Sequence, residues 1–499
     1  MEKRSIAIIG GGISGLATAY YLDRLSEEEK LPLGITVYEK KNQLGGVLET
    51  FCEDDFCLEG GPDSFISEKP WAASLCRELG LANELMGTNP NIRQSFVLWK
   101  GRLHPIPEGF YLMAPTLVLP MIRTPLLSWQ GKFRMAMEAW IPRKKFSGDE
   151  SVASFIQRRF GHEILERLGQ PLIGGIYSAD PENLSLEATF PRFLEMEKKH
   201  GSVTRALMSM KQDKKSHFGK ASGARYSLFM TLRDGMVSLV QALEKAMPKV
   251  RILKNAEVRK VECLRSETWR LEIKGGLFEE ADSLCLAMPT PAAAKVVGFF
   301  DPSLADDLKE FKYESVATVH CLFERKKIRH PLNGLGYVVP ASQKKKIIGC
   351  TFSSMKFPGK ADKRERHEFV LLRAFVGGAF GRASFDAEDK TLKEMVAKEL
   401  CEILGIETAP LWTRIFRYPE SMPQYEVGHL EHVQKLKRRI EACPGLYLTG
   451  NAYRGIGIPD CIRHAELTAD RIFGDLLPGG KSAPQCVGAG EVKEKSFRG

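Results

Sequence analysis

The sequence predicts an α/β protein in which a parallel-sheet dinucleotide domain is assembled from both chain ends around a mixed-sheet domain and an inserted, mostly helical region. Three observations carry this reading. Residues 5–38 run strand, glycine turn, helix, strand. Residues 445–473 repeat the strand–glycine–helix order at the other end. The 499 residues exceed what one hydrophobic core accommodates, so the middle must build further domains.

The front unit opens with Ser5-Ile-Ala-Ile-Ile9, a β-branched apolar run of the kind that is buried on both faces in a parallel sheet. It enters Gly10-Gly-Gly-Ile-Ser-Gly15, a GxGxxG in which Gly11, Ile13 and Ser14 fill the variable places. Gly10 permits the tight turn, Gly12 admits a pyrophosphate to the backbone, and Gly15 lets helix and strand approach. The helix from Leu16 offers unpaired N–H groups and the positive end of its dipole to phosphates. A second strand, Ile35–Tyr38, ends at Glu39, 24 residues past Gly15, where a carboxylate can accept hydrogen bonds from ribose hydroxyls. A strand, the glycines, a helix and the acid together define a Rossmann-like dinucleotide site, open to NAD or FAD.

At the far end, Gly445–Gly450 is a strand running into glycine, and Asn451–Ile462 is a glycine-rich loop leading into an amphipathic helix. Backbone N–H groups at Gly450, Ile456, Gly457 and Ile458 would complete a second dipole-lined site. Because the two glycine sites sit at opposite termini, residues 1–70, 229–290 and 426–476 are expected to form one cofactor domain. Residues 71–190 are expected to form a helical substrate and entrance region, with helical spacing at Leu75–Leu85 and Val152–Leu172. A connecting mobile segment is expected at 191–228, a substrate-binding sheet domain at 291–425 and a disordered tail at 477–499.

Composition excludes several classes. The net charge of +10 is modest for this length, and no basic stretch is interleaved with aromatics, so nucleic-acid binding is not expected. The 11 cysteines, scattered without a framework, point to free thiols in a reducing compartment, hence the cytoplasm. Cys52 and Cys57 have no second pair with which to hold zinc, and His429 and His432 stand without a ligand cluster, so no metal is expected. No run is long and apolar enough to span a bilayer. The nearest, 110–127, is broken by Pro115, Pro120 and Pro125, and is expected to be helical or irregular near the substrate entrance, with peripheral membrane contact.

Beyond the front unit, Glu39-Lys40 followed by Gly45-Gly46-Val47 resembles the dinucleotide motif of the flavin amine oxidase superfamily, which selects FAD over NAD. The turn at Gly61-Pro62-Asp63-Ser64 resembles the segment that meets the flavin end in that superfamily, and Val258 falls where its backbone contact to adenine is expected. Over residues 5–475 the chain resembles the oxygen-dependent protoporphyrinogen and coproporphyrinogen oxidases, on Gly61–Phe65, Leu103–Pro107, Gly174–Pro181, Leu184–Leu186, Thr189–Pro191, Met288–Pro291, Met422–Tyr425 and Gly455–Ile462. It departs from the bacterial pattern at Tyr418, where relatives often carry Trp.

The resemblance implies six-electron oxidation of a porphyrinogen to a porphyrin, with FAD passing the electrons to O2, in haem biosynthesis. Coproporphyrinogen III is favoured over protoporphyrinogen IX, and hand-off to other enzymes of the pathway is an expectation. The flavin carries the chemistry, so no catalytic side chain is named. Lys69 is nominated as a propionate anchor, and Ile176 and Tyr177 as walls of an apolar slot. Two other readings stay open: a flavin amine oxidase or desaturase, and a non-enzymatic lipid or porphyrin chaperone.

Overall fold

The computed structural model describes residues 4–53, 56–144, 148–212, 228–265, 268–360 and 368–477. Its centre is a five-stranded, all-parallel sheet in the order Arg251–Leu253, Leu33–Tyr38, Arg4–Ile9, Ser283–Leu286, Leu446–Leu448. The central strand pairs on both sides, Ile6 with Ile35 and with Ser283, and Ile6–Ile9 are buried. Strands from both chain ends therefore lie in one sheet. One sheet face carries the first helix, Ile13–Glu28, beside the last, Ile458–Leu476, with Leu16, Ala19 and Leu22 meeting Ile462, Ala465 and Ala469 in one core. The other face packs Ala7, Ile9, Leu284 and Leu286 against a three-stranded antiparallel sheet, Val258–Arg265, Thr268–Ile273 and Leu277–Ala281. The helices Thr290–Val297 and Pro302–Lys309 join this same core, so the boundary expected at 290 lies later in the chain.

The second domain is a seven-stranded mixed sheet in the order Trp412–Pro423, Tyr313–Glu324, Phe369–Gly377, Ile347–Phe352, Gly336–Val338, Phe96–Trp99, Arg102–Pro105. Its outer face is sealed by the helix Asp389–Leu404, whose Leu392, Val396, Leu400 and Leu404 recur every four residues and are buried. The last two strands come from the region expected to be helical. Phe96-Val-Leu-Trp99 is too short an apolar run for periodicity to separate strand from helix.

The helical region has its own core. Val152–Phe160 is capped by Ser151, which accepts from the Ser154 N–H, and is ended by Gly161 at φ 96°. Arg159 is fully buried and paired with Glu138 and Glu197, and it donates to the carbonyl oxygens of Ile141 and Gly201. That pairing ties in Pro191–His200 and Val203–Gln212, which are helices where a mobile segment was expected. Phe193 and Met196 supply the buried face of the first, and Val203, Ala206 and Leu207 that of the second. Residues 213–227 and the tail beyond 477 lie outside the described residues.

The 110–127 segment forms two short strands and the helix Val118–Arg123. Met113, Ala114, Met121, Leu126 and Leu127 are buried, so most of its apolar content is core. The free cysteine reading fails at one pair. Cys52 and Cys57 face each other across the hairpin Thr50–Glu53/Phe56–Glu59 and are disulfide-bonded. Directly opposed positions in an antiparallel pair bring two Cβ atoms within bonding reach, which linear spacing does not reveal. Among the described residues no helix is long and apolar enough to cross a membrane.

Candidate active site

The glycine turn shows why each glycine is there. Gly10 sits at φ 115°, and its N–H donates to the Tyr38 carbonyl at 2.8 Å. A Cβ on Gly10 would strike the Ala287 carbonyl, and one on Gly15 would strike the Gly10 carbonyl. Both are glycine for packing. Gly12 differs: its backbone is extended (φ −74°, ψ 177°), which any residue adopts, and the nearest atom to its would-be Cβ is the Cα of Gly46, 4.0 Å away. Gly12 therefore borders open space. Gly46, at φ 66°, faces it, and the Gly45 N–H donates to the Gly11 carbonyl at 2.8 Å. The pair forms a bare-backbone cradle over the start of the Ile13–Glu28 helix, whose first turn has no side-chain cap. Ile13 and Ser14 lie in that turn, with Ser14 buried.

Glu39 is buried beneath the turn. Its Oε2 accepts from the Gly11 N–H at 2.8 Å and its Oε1 from the Lys41 N–H at 2.9 Å. Each oxygen keeps a lone pair for a hydroxyl donor. Lys40 is exposed beyond it. Val258 opens its strand opposite Ile273, in the same core as Tyr38.

The 45–47 turn meets the 60–64 turn: a Cβ on Gly61 would fall on the Val47 carbonyl, and one on Gly60 on the Tyr418 hydroxyl. Behind this contact lies a charge network the sequence did not disclose. Lys356 Nζ pairs with both Asp63 carboxylate oxygens at 2.9 Å and Arg373 stands 3.8 Å from one. Arg373 also donates to the Gly60 carbonyl at 3.1 Å and to that of Gly61, while Lys360 pairs with Glu59 at 2.7 Å and with Thr231. Burial alone would raise the Asp63 carboxyl, but Lys356 and Arg373 outweigh it and hold it well below the usual carboxylate range. The Asp63 side chain is thus committed to Lys356 and Ser64, so Pro62 and the backbone of the turn are what it offers elsewhere.

At the other glycine site, Gly450 has φ 141° and Gly457 precedes Ile458–Leu476 without a side-chain cap. A Cβ on Gly455 would strike the Asp460 carboxyl, so the loop needs that glycine to admit the acid. Ile456 packs on the helical region's core and Ile458 on the sheet's. Tyr425 supports the loop, its hydroxyl donating to the Asn451 carbonyl at 2.6 Å while its ring stacks on His429 at 4.0 Å.

The three substrate nominations converge only in part. Lys69 Nζ lies 2.6 Å from both Asp460 carboxylate oxygens, with its side chain 43% exposed. Tyr177 packs edge-on against Phe190, and its hydroxyl is raised chiefly by burial and secondarily by the charge of Asp460. Ile176, on the glycine-rich helix Gln170–Tyr177, is 44% exposed and unpacked. Asp460, Lys356, Lys360 and Arg373 were missed by sequence reasoning. Asp460 lay inside a recognised motif, whereas Lys356 finds Asp63 at a separation of 293 residues. Among the described residues no group of three metal-ligating side chains occurs.

The glycine cradle, the uncapped helix and the acid beneath it fit a dinucleotide. Residues 13–473 match the family model of the flavin-containing amine oxidoreductases, and the chain belongs to that family; its cofactor is FAD. It is 36% identical over 462 residues to the coproporphyrinogen III oxidase of Bacillus subtilis (strain 168), covering 92% of this chain and 96% of that one. It is 31% identical over 477 residues to the coproporphyrinogen III oxidase of Staphylococcus aureus (strain NCTC 8325 / PS 47), covering 95% of this chain and all of that one. A crystal structure from Exiguobacterium sp. 255-15, provisionally assigned as a protoporphyrinogen oxidase, aligns with a TM-score of 0.82 at 30% identity, covering 95% of this chain and 99% of that one.

Proposed function

We propose that the chain oxidises a porphyrinogen to a porphyrin with FAD and O2, and that coproporphyrinogen III is its preferred substrate. The observation that carries this is the similarity, 36% and 31% identical and nearly end to end, to coproporphyrinogen III oxidases, joined to a cradle that fits a dinucleotide. FAD, when bound, supplies the two-electron acceptor and the route to O2. The chain's own residues bind and orient. The backbone at Gly10–Gly15 and Gly46–Val47 would hold the pyrophosphate and Glu39 the ribose. Gly61–Ser64 and Gly450 with Ile456–Ile458 would border the isoalloxazine, and Val258 the adenine.

Lys69 is held by Asp460, so its ammonium is aimed rather than free, and a propionate would share it as a charge-assisted acceptor. Tyr177 and the exposed Ile176 would give the macrocycle apolar wall. The test is anaerobic mixing of purified protein with each reduced porphyrin. Bleaching of the flavin, followed by porphyrin fluorescence on admitting air, is expected, with the higher kcat/KM for coproporphyrinogen III.

Membrane contact, expected at 110–127, finds its support further on. Trp129, Phe133 and Trp140 are 76%, 70% and 75% exposed, with Met137 between them and Leu119 and Ile122 from the preceding helix. Trp129 and Phe133 lie on the α-helix Trp129–Ala136 and Met137 and Trp140 on the 3-10 turn Met137–Trp140 that continues it, at spacings of four, four and three. Lys132 stands over the Trp129 ring, and Arg123 and Arg143 are exposed nearby in sequence. An apolar face with basic companions suits the headgroup region of an anionic bilayer.

A further inference from the structure

The hairpin that leads into the 60–64 turn carries two sulfurs beside a polar clamp. Its register sets Cys52 opposite Cys57 and Thr50 opposite Glu59. Side chains two apart on a strand share a face, so both pairs lie on the same side of the hairpin. The Thr50–Glu59 pair is the clamp. The Thr50 hydroxyl donates to Glu59 Oε2 at 2.9 Å and accepts the Val237 N–H at 3.1 Å. Glu59 Oε1 accepts the Met236 N–H at 2.9 Å and pairs with Lys360 at 2.7 Å. The pair thus grips the start of the helix Val237–Ala246, and the Cys52–Cys57 bond closes the hairpin next to it on the same face.

Cys52 is exposed and Cys57 is buried, so one sulfur meets solvent and the other stands directly behind it. The other described cysteines are free, and none of them is exposed. Burial pushes the Cys76, Cys285, Cys321 and Cys461 thiols up to about 12, which keeps them protonated and unreactive at neutral pH. The bond is therefore confined to the pair that a dissolved reagent can reach. We propose that Cys52 and Cys57 form a reversible redox couple, closed by the peroxide that two-electron reduction of O2 yields and reopened by a dithiol, and that closing it stiffens the Thr50–Glu59 clamp. The source of the peroxide rests on the porphyrinogen reading above; the couple itself does not. In the first step the Cys52 thiolate attacks peroxide, an S–O bond forms, the O–O bond breaks and hydroxide leaves. The Cys57 thiolate then attacks the Cys52 sulfur, the S–S bond forms and a second hydroxide leaves. With the two thiol protons, one peroxide has become two waters. A dithiol reverses this by attacking the exposed Cys52 sulfur. Cys57 leaves as thiolate, the second thiol of the reductant releases Cys52, and the reductant departs as its own disulfide.

The test starts from full-length holoenzyme reduced with dithiothreitol and then freed of it. One arm adds hydrogen peroxide; the other lets the enzyme turn over a porphyrinogen in air, with and without catalase. Alkylation in denaturant and peptide mass spectrometry follow each cysteine. Cys52 and Cys57 are expected to lose alkylation together, on the order of tenfold faster than the half-buried Cys263, Cys401 and Cys443. Catalase is expected to slow the turnover arm, and dithiothreitol to restore both thiols. Cys57→Ser is expected to hold Cys52 as a sulfenic acid that dimedone captures, and Cys52→Ser to leave Cys57 alkylatable. Amide exchange at Met236 and Val237 reads the clamp and is expected to be on the order of tenfold slower in the oxidised protein. Thiols that stay alkylatable in added peroxide, or that oxidise no faster than Cys263, Cys401 and Cys443, overturn the couple. Equal exchange in the two states overturns the stiffening. Oxidation by added peroxide but not by turnover of an active enzyme overturns the source. An enzyme that oxidises neither porphyrinogen overturns the functional reading and the source with it, while the added-peroxide arm still decides the couple.

Discussion

The cofactor side and the substrate side of the site are built by opposite means. Around Gly12 and Gly46 the structure works through missing side chains: open space, bare N–H groups and a carboxylate clamped by two backbone donors. Around the 59–64 turn and Lys69 it works through charged side chains that pin one element to another, Lys356 to Asp63, Lys360 to Glu59 and Lys69 to Asp460. The first kind of site fails when an atom is added, the second when a charge is removed.

The largest effect should come from adding an atom. Gly12→Val puts a branched side chain into the open cradle without straining an extended backbone, so a folded, colourless protein is expected. Gly15→Ala, whose Cβ strikes the Gly10 carbonyl, should lower stability as well as flavin content. Flavin absorbance per mole and thermal melting separate the two. A Gly12→Val protein that retains full flavin would break the comparison on the cofactor side.

On the charged side, Asp63→Asn leaves Lys356 and Arg373 without their carboxylate and should cost about 3–5 kcal/mol in denaturant unfolding, the range for breaking a buried pair. Lys356→Met should cost a comparable amount. Because the Asp63 carboxyl is held below its unfolded-chain range, its contribution is present above about pH 4 and is lost as pH falls further. Asp63→Asn with wild-type stability would remove the network as a structural device.

These two regions also differ in how far the sequence discloses them. The cradle is local: strand, glycines, helix and acid fall within residues 5–39, so the motif carries its own context. The parallel sheet followed from that and from the matching glycine loop at 450–457. The network joins residues 59–64 to 356, 360 and 373, and no periodicity links positions that far apart. The same limit hid the strand 96–99, which pairs with Gly336–Val338 and carries 102–105 on its other edge, and the helices at 191–212, which are tied in by Arg159. The Cys52–Cys57 pair was hidden by an unassigned hairpin rather than by distance.

A third prediction concerns protonation near the loop that Tyr425 supports. His429 is pushed by burial from 6.5 to about 4, so the unfolded chain binds its proton first on acidification. Stability is complete above pH 6.5 and falls towards pH 4 by about 1.4 kcal/mol per pH unit, about 3 kcal/mol in all. His464, pushed to about 4 by burial and by Arg454, adds a like slope. His429→Gln should flatten the unfolding free energy against pH in that window. An unchanged slope would mean that His429 is not a buried neutral group. Smaller still is the disulfide. The Cys52–Cys57 bond closes only a five-residue separation, so reducing it should cost about 2 kcal/mol by loop entropy. Differential scanning of reduced and oxidised protein measures it.

The smallest effect on stability should come from the aromatic face, and that smallness makes it informative. Trp129, Phe133 and Trp140 bury little of their surface, so removing them forfeits little apolar burial. Exposed substitutions away from caps and buried pairs usually fall within about 0.5 kcal/mol. Trp129→Ser/Trp140→Ser is therefore expected to melt within a degree or two of wild type. Its effect should appear elsewhere. If the face sits in the headgroup region of an anionic bilayer, wild type floats with vesicles containing phosphatidylglycerol, less so with neutral ones, and the double variant stays at the bottom of the gradient. Lys132→Gln, which removes a charge but keeps the rings, should weaken flotation only at low salt, because an exposed cation acts through a screened field. Wild-type protein that floats with neither kind of vesicle rules out the bilayer as the partner of this face.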